Sequence, residues 1–335
     1  MASRSLPPSA VRAPQENTTH SCVGTPWDFT RLTQRSFSSI YRNTSPCLRW
    51  WRTTILLNRT RLVNIPLEDN FNDVLGKALR GLKLLPAQLA SRAGVSESDV
   101  KKALAGEFDE AVVRKLAPVL GLGAEQLVTL GRKAWYPPPH EIAGLALFNT
   151  PFADFTVNAY LTWDVKTRQA VAFDTGTDCG PMLRTAKENG LDIVLILITH
   201  IHGDHIADLA RLKKETGARA FVSELEPTEG AELFTAGRVF HAGGLAIESR
   251  QTSGHSKGGT SYIVAGLEKT LAVVGDAMFA ASMGGGLVSY EEALRTNRQQ
   301  VLSLPDDTIL CPGHGPLTTV GEQKTHNPFF PEFNK

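Results

Sequence analysis

The sequence predicts an α/β domain with more strands than helices, preceded by a small all-α module. Apolar residues recur at helical spacing between residues 71 and 131. Short apolar or alternating runs, which are typical of strands, fill the chain after residue 139. The three prolines of 137–139 separate the two patterns, because proline ends helices. A chain of 335 residues has room for more than one such core.

Residues 1–66 are predicted to form a disordered tail rich in arginine and serine. They contain nine Arg, no Lys and only Glu16 and Asp28 as acids, and no hydrophobic periodicity lasts. We expect a dispensable leader and a cytoplasmic protein. The same composition fits an organelle transit peptide, which would give an organellar location instead. No apolar run reaches the roughly 18 residues of a membrane span, so we expect no integral membrane protein.

The net charge of +1 hides an acidic C-terminal part. Cut at residues 66 and 133, the chain carries 9 basic against 2 acidic residues, then 10 against 9, then 16 against 23. Because phosphates repel an acidic surface, the C-terminal part is a poor candidate for nucleic-acid binding. The four cysteines lie far apart and none is in a Cys-x-x-Cys pair, so the sequence supports neither a disulfide framework nor a cysteine zinc site.

Residues 67–133 are predicted to form the helical module, whose centre resembles the repressor-type helix-turn-helix. Gly94 lies where the turn needs a residue that tolerates positive φ, and Ser96 could cap the following helix. That helix opens with Glu97 and Asp99, which phosphates repel, so DNA binding is disfavoured. We therefore favour a structural module, or one that binds a protein partner or a second copy of the chain.

Residues 138–335 are predicted to form the α/β domain. Strand-like runs cover residues 156–162, 170–174, 193–199, 220–223, 262–265, 271–274 and 308–310. Helical stretches lie between several of these runs, at residues 179–188, 205–216 and 290–304. Sheets covered by helices are the architecture expected from this order of elements.

Three imidazoles and a carboxylate lie within six residues, directly after the apolar run 193–198. His200 and His202 alternate, so both can point the same way from an extended segment. Gly203 would let the chain turn, so that Asp204 and His205 aim at a neighbouring point. This spacing predicts two adjacent metal positions, and neutral imidazole with carboxylate suits zinc, iron or manganese.

A second metal ion needs further ligands, and three residues later in the chain can supply them. His255 and His314 lie in glycine-containing loops, and Asp276 ends the apolar run 271–275. Functional groups are commonly mounted on loops that a rigid scaffold positions. We therefore expect all three to join the cluster of residues 200–205.

This order of residues resembles the metallo-β-lactamase superfamily over residues 140–335. The resemblance implies the αβ/βα sandwich fold, with a supporting Asp174 outside the ligand set. It also implies two ligand groups around two metals, with Asp276 bridging them. The first group is His200, His202 and His255, and the second is Asp204, His205 and His314.

Within the superfamily, Asp276 resembles the hydrolases of thioesters, lactones and phosphodiesters, since true β-lactamases carry Cys or Ser near that position. The segments 311–319 and 327–330 are similar to those of short glyoxalase II-like (hydroxyacylglutathione hydrolase-like) proteins. The implied function is a metallohydrolase that cleaves a small-molecule thioester such as S-lactoylglutathione by attack of a metal-bound hydroxide. Asp204 would receive or pass on the proton of the water. Two divalent ions are expected, zinc first, with iron or manganese open.

Two departures keep other activities open. Only a short stretch follows His314, so we expect no counterpart of the C-terminal helical domain with which full-length glyoxalase II holds glutathione. Gly259 replaces a second histidine often seen after the His255-type ligand. The alternatives are a mononuclear-iron persulfide dioxygenase, a lactonase or phosphodiesterase of the same superfamily, and, outside enzymes, a DNA-binding metabolite sensor.

Overall fold

The structure, a computed structural model, describes residues 65–333. The predicted tail lies outside this range except for its last two residues. Of these, Ile65 is buried, and its carbonyl accepts a hydrogen bond of 2.7 Å from the hydroxyl of Tyr136. Within the described residues, no helix has the length and the apolar character needed to cross a membrane.

Five helices form the N-terminal module, in agreement with the prediction. They are α1 (Phe71–Gly81), α2 (Pro86–Ala93), α3 (Glu97–Leu104), α4 (Glu110–Val119) and α5 (Ala124–Gly131). Between α2 and α3, Gly94 has the positive φ that the sequence predicts, and the Ser96 hydroxyl accepts a 3.0 Å hydrogen bond from the Asp99 amide. A side-chain cap of this kind satisfies an amide that the helix itself leaves unpaired. The resemblance to a DNA-binding repressor stays a prediction.

Two six-stranded sheets follow the module. The first contains β1 (Leu145–Phe152), β2 (Phe155–Trp163), β3 (Gln169–Phe173), β4 (Asp192–Leu197), β5 (Arg219–Ser223) and β6 (Glu232–Phe234), in that spatial order. The second contains β7 (Val239–Ala242), β8 (Leu245–Gln251), β9 (Thr260–Ala265), β10 (Leu271–Gly275), β11 (Ile309–Pro312) and β12 (Thr318–Thr319), in the order β12-β11-β10-β9-β8-β7. Strands β3 to β6 are parallel to one another, as are β10 and β11, and the remaining pairs are antiparallel.

The helices of the α/β domain are α6 (Gly180–Glu188), α7 (Gly203–Ile206), α8 (Leu209–Thr216), α9 (Tyr290–Thr296) and α10 (Val320–His326). Two predicted helices are wrong in detail. The stretch 205–216 is split into α7 and α8, because Asp208 at the start of α8 has φ and ψ of −112° and 21°, outside the helical region. The stretch 290–304 changes after α9 into a π-helical turn over Asn297–Val301.

The two faces of each sheet pack against different partners, which produces the predicted sandwich. Alternation along β10 shows this: Leu271 and Val273 join the core between the sheets, whereas Ala272 and Val274 belong to the core on the outer face. Helices α6 and α8 cover the outer face of the first sheet through Met182 and neighbouring apolar residues. The observed order of layers is helix, sheet, sheet, helix, so the predicted α/β fold class is confirmed.

The helical module packs onto the outer face of the second sheet. Buried residues of α1, α2 and α4, among them Leu75, Leu89 and Leu116, belong to one hydrophobic core with Val274 and Leu310. The predicted borders at 67–133 and 138–335 stay predictions, but the two parts they delimit share this core. Module and sheet are therefore joined by packing as well as by the chain.

Candidate metal centre

The segment that carries four of the predicted ligands leaves the C-terminal end of β4. His200, Asp204 and His205 are buried there. Asp174, which follows β3, holds the segment in place: its carboxylate accepts hydrogen bonds from the amide and the hydroxyl of Thr199, at 2.8 and 2.7 Å. These two bonds fix where the extended chain ends and the ligand loop begins.

The expected role of Gly203 as a turn glycine is wrong. Gly203 starts α7 without a positive φ, and a Cβ atom built there would have no neighbour within 4 Å. The reversal of the chain is made by the start of helix α7, whose first turn carries Asp204 and His205. An ordinary residue could occupy position 203.

The other three predicted ligands lie at the same edge of the molecule. His255 follows β8, Asp276 follows β10 and His314 follows β11. Because β10 and β11 are parallel, their C-terminal ends meet at one edge, which brings Asp276 and His314 together. Gly313 makes this approach possible, since a Cβ there would lie 2.2 Å from Asp276 Oδ1 and 2.7 Å from His205 Cε1.

The structure brings all seven side chains into two adjoining groups, together called the metal centre below. In the first group, His202 Nδ1 lies 3.0 Å from His200 Nε2 and 3.1 Å from His255 Nε2. Asp276 Oδ2 lies 3.3 Å from His255 Nε2 and 3.8 Å from His200 Nε2. The four ligand atoms lie within 4.8 Å of one another, which is close enough to hold one metal ion.

The second group contains Asp204, His205 and His314, again within 4.8 Å. Asp204 Oδ2 lies 3.3 Å from His314 Nε2 and 3.6 Å from His205 Nε2. Asp276 contacts this group as well, with its Oδ1 3.3 Å from His205 Nε2 and its Oδ2 3.5 Å from His314 Nε2. The carboxylate of Asp276 therefore lies between the two groups.

Electrostatics differ between the two groups. Burial lowers the pKa of His200 and of His255. Burial also opposes protonation of His205 and His314, but the Asp276 carboxylate outweighs it, together with Asp174 for His205 and Asp204 for His314. The pKa values rise to about 10 and about 11. In the protein without metal, His205 and His314 therefore hold protons that His200 and His255 lack.

The donor set fits a metal ion. His205 Nε2 and Asp276 Oδ1 are buried polar atoms without a hydrogen-bond partner among the described residues. Their 3.3 Å contact is an ion pair while the His205 ring is protonated, and a bound metal ion would satisfy both atoms once that proton is lost. Converging imidazole nitrogens and carboxylate oxygens are ligands for zinc, iron and manganese. The centre could hold divalent metal at both groups.

Most of the imidazoles are oriented by a partner on the side facing away from the centre. Asp174 Oδ2 lies 2.8 Å from His205 Nδ1, the Gly285 carbonyl lies 3.0 Å from His255 Nδ1, and the Thr156 carbonyl lies 2.7 Å from His314 Nδ1. Such partners select the tautomer and fix the ring plane. The sequence indicates only Asp174 among them, because a backbone carbonyl leaves no signature in residue type.

Three side chains around His314 have no sequence signal at all. Glu68, from the segment before α1, places its Oε2 4.0 Å from His314 Nδ1, and burial raises its pKa to about 7. The rings of Phe155 and Phe279 lie 5.4 and 5.5 Å from the His314 ring. One wall of the site is thus apolar, and Glu68 adds a carboxylate from outside the α/β domain.

Among the residues that the structure describes, His140, His241 and His326 lie outside the metal centre. His140 lies 3.7 Å from Glu322, and His326 stacks on Trp135 with 4.3 Å between ring centroids. Gly259, the predicted departure from the family pattern, accepts a hydrogen bond from the Thr252 amide. A Cβ at Gly259 would lie 2.8 Å from the Thr252 carbonyl, so a histidine would not fit without a backbone shift.

Comparison with known proteins shows what this chain is similar to. Residues 153–314 match the Metallo-beta-lactamase superfamily. The hydroxyacylglutathione hydrolase GloC of Haemophilus influenzae is 28% identical over 205 residues, covering 53% of this chain and 95% of that protein. The probable metallo-hydrolase YqgX of Bacillus subtilis is 28% identical over 210 residues, covering 55% and 97%. The crystal structure of ETHE1 from Myxococcus xanthus superposes with a TM-score of 0.50 at 25% identity, covering 56% and 85%.

The family match begins after the helical module, so it does not bear on the helix-turn-helix resemblance. It includes all seven ligand positions, and His314 is its last residue. The two-sheet fold agrees with the match of residues 153–314 to the metallo-β-lactamase superfamily.

Proposed function

We propose that the protein is a dinuclear metal-dependent hydrolase of the glyoxalase II type, which cleaves a thioester such as S-lactoylglutathione. The observation that carries this proposal is the position of Asp276, whose carboxylate contacts ligand atoms of both groups at 3.3 to 3.8 Å. A carboxylate shared in this way suits two ions side by side. The similarity to the hydroxyacylglutathione hydrolase GloC supports the choice of thioester.

His200, His202 and His255 would hold one ion, and Asp204, His205 and His314 the other, with Asp276 shared. Ions held there would lower the pKa of a water molecule and polarise the substrate carbonyl. The chain's own residues supply orientation: Asp174, Gly285 and Thr156 hold the rings of His205, His255 and His314 with Nε2 directed inward.

Asp204 is the group that can receive a proton at this site. Burial opposes its ionisation, but its hydrogen bond with His314 and the charge of His205 keep its pKa below the ordinary value. Without metal, Asp204 is therefore ionised at neutral pH. Its oxygen would accept a proton from the attacking water and could return it to the departing thiolate.

The apolar wall of Phe155 and Phe279 would shield the reacting carbonyl from bulk water. Phe279 is buried, whereas Phe155 is 39% exposed at the start of β2. An acyl group lying against these rings would exclude water on one side of the His314 group. Lower polarity there strengthens the attraction between the developing oxyanion and nearby positive charge.

The test is metal content by elemental mass spectrometry, paired with hydrolysis of S-lactoylglutathione on the same sample. About two metals per chain with thioester turnover is the result expected from two ligand groups. Asp276→Ala should lose both the second metal and turnover. Asp306→Ala should keep them, because the Asp306 carboxylate is 71% exposed and pairs with Lys324 instead of a ligand residue.

The second candidate is a mononuclear-iron persulfide dioxygenase. The likeness to ETHE1 at 25% identity favours it, since the two chains share the fold over 85% of that protein. One iron per chain, no thioester turnover and oxygen consumption with glutathione persulfide would replace the hydrolase proposal with this one.

A further inference from the structure

Residues 276–285, called the bridging loop below, position two side chains of the metal centre's first group, Asp276 and His255. Asp276 is the first residue of the loop, and the carbonyl of Gly285, its last, faces Nδ1 of His255 at 3.0 Å. The Gly284 amide donates back to the Asp276 carbonyl at 3.1 Å, which closes the loop on itself. The position of this loop therefore decides where the Asp276 carboxylate and the His255 ring point.

The helical module holds the bridging loop through a buried ion pair. Lys77 of α1 donates a hydrogen bond of 2.8 Å to the carbonyl of Met283 and pairs with Asp69, which precedes the helix. Asp69 in turn accepts a hydrogen bond from the hydroxyl of Ser282. The Lys77 and Asp69 side chains are only 13% and 8% exposed, so these contacts are weakly screened by water.

Phe279 connects the same lysine to the other side of the metal centre. Lys77 Nζ lies 5.1 Å from the centroid of the Phe279 ring, in the geometry of a cation–π contact. The same ring lies 5.5 Å from the His314 ring, in an edge-on arrangement. Lys77 thus acts on both ends of the ligand set without touching a ligand itself.

The bridging loop needs external support because its backbone is strained. Ala281 has a φ of +60°, a left-handed conformation that an alanine adopts only where its surroundings impose it. Gln323 holds the loop from one side by accepting a hydrogen bond from the Ala281 amide at 3.0 Å. Asp69 and Lys77 hold it from the other side, at residues 282 and 283.

We propose that Asp69 and Lys77 are positioning residues for the metal centre, through which the helical module sets the geometry of Asp276 and His255. This inference rests on the proposed dinuclear site. It gives the module a role in the chemistry of the α/β domain. Removing either Asp69 or Lys77 would leave the other charge buried without its partner and would release the bridging loop, which carries Asp276.

The experiment compares Lys77→Met with Lys101→Met in the full chain. Lys101 is the matched control because it also forms an ion pair in the module, with Glu97, but is 67% exposed. Zinc affinity is measured by competition with a chromogenic chelator, and the cobalt-substituted protein gives an absorption spectrum that reports ligand geometry. We expect Lys77→Met to bind zinc about tenfold or more weakly, the size typical of lost ligand-orienting contacts. We also expect an altered cobalt spectrum, whereas Lys101→Met matches the wild type in both.

Two further variants separate positioning from folding. Lys77→Arg keeps the charge and should recover most of the lost affinity. Ser282→Ala removes only the hydroxyl that Asp69 holds and should show a smaller loss of affinity at an unchanged circular dichroism spectrum. On substrate, Lys77→Met should lower kcat more than it raises KM, since Lys77 Nζ is engaged by Asp69 and the Met283 carbonyl.

The inference is overturned if Lys77→Met lowers the melting temperature while zinc affinity and the cobalt spectrum stay at wild-type values, because the pair would then only fasten the module. The proposed function fails separately. A wild-type protein that binds two ions but hydrolyses no thioester contradicts the proposed hydrolase activity. The ratio of the zinc affinities of Lys77→Met and wild type would still test the positioning role of Lys77.

Discussion

At the residue scale, the chemistry of the centre depends on which atoms of each side chain face inward. His200, His205, His255 and His314 turn Nε2 toward the centre, whereas His202 turns Nδ1. The sequence predicts which residues take part, since seven histidines and aspartates in this order and spacing are typical of a metal-binding site. It could not predict the ring orientations. Two of them are set by the backbone carbonyls of Gly285 and Thr156, and every residue type has a backbone carbonyl.

His202→Ala and Asp276→Ala should each reduce turnover by more than about 100-fold, since loss of an orienting partner alone weakens metal sites roughly 10- to 100-fold. The helical module should stay folded in both variants. Steady-state hydrolysis and far-ultraviolet circular dichroism measure the two effects. His241→Ala, on an exposed position of β7, is the control that should change neither. Full activity in His202→Ala or Asp276→Ala would contradict the dinuclear assignment.

Metal binding to the second group should release protons. Without metal, the pKa values of His205 and His314 stand at about 10 and about 11, above the ordinary 6.5, so both rings are protonated at pH 8. Their contribution to the stability of the metal-free fold is complete below pH 6.5 and is lost as the pH rises toward 10. Zinc must displace these protons, so affinity should rise between pH 7 and 9, about tenfold per pH unit for each proton released.

Calorimetry of zinc binding in buffers with different ionisation enthalpies counts these protons. We expect about two to be released on loading of the second group at pH 8. The His314→Ala variant should release one fewer. Equal heats in all buffers would contradict the raised pKa values.

At the element scale, the centre exists because strand ends converge. Parallel pairing of β10 with β11 places Asp276 and His314 at the same edge, and β4 delivers residues 200–205 from the facing sheet. The strand-like runs predict most of this arrangement. The split between α7 and α8 was missed, because a break of two residues leaves the apolar spacing of 205–216 nearly unchanged.

Gly313→Ala tests the close approach between the ends of β10 and β11. A methyl group there would meet the Asp276 carboxylate and the His205 ring, so both ligands must move. We expect zinc affinity to fall at least about tenfold, measured by chelator competition. Gly203→Ala is the matched control within the ligand loop, since a Cβ there has no neighbour within 4 Å. A Gly313→Ala protein with wild-type affinity would show that the strand ends separate without effect on the site.

At the scale of the whole molecule, the helical module and the α/β domain are one folded body. Composition and the three prolines predict a border between them. The helices predicted before that border are confirmed. What the sequence could not reveal is that Ala272, Val274 and Leu310 turn their side chains toward the module's leucines. Alternation in a strand shows that two faces are buried, but it does not identify what covers each face.

Shared packing predicts that module and second sheet unfold together. Leu116 of α4 is fully buried in the common core, and Leu116→Ala should lower the free energy of unfolding by about 2 to 5 kcal/mol. Native-state hydrogen exchange followed by mass spectrometry measures this for each peptide. Peptides from α1, α4, β10 and β11 should lose protection by the same amount, because a cooperative unit opens as a whole. If only α1–α5 lose protection and β10 and β11 are unchanged, the module opens independently of the second sheet. The metal centre should then keep its zinc when the module is destabilised.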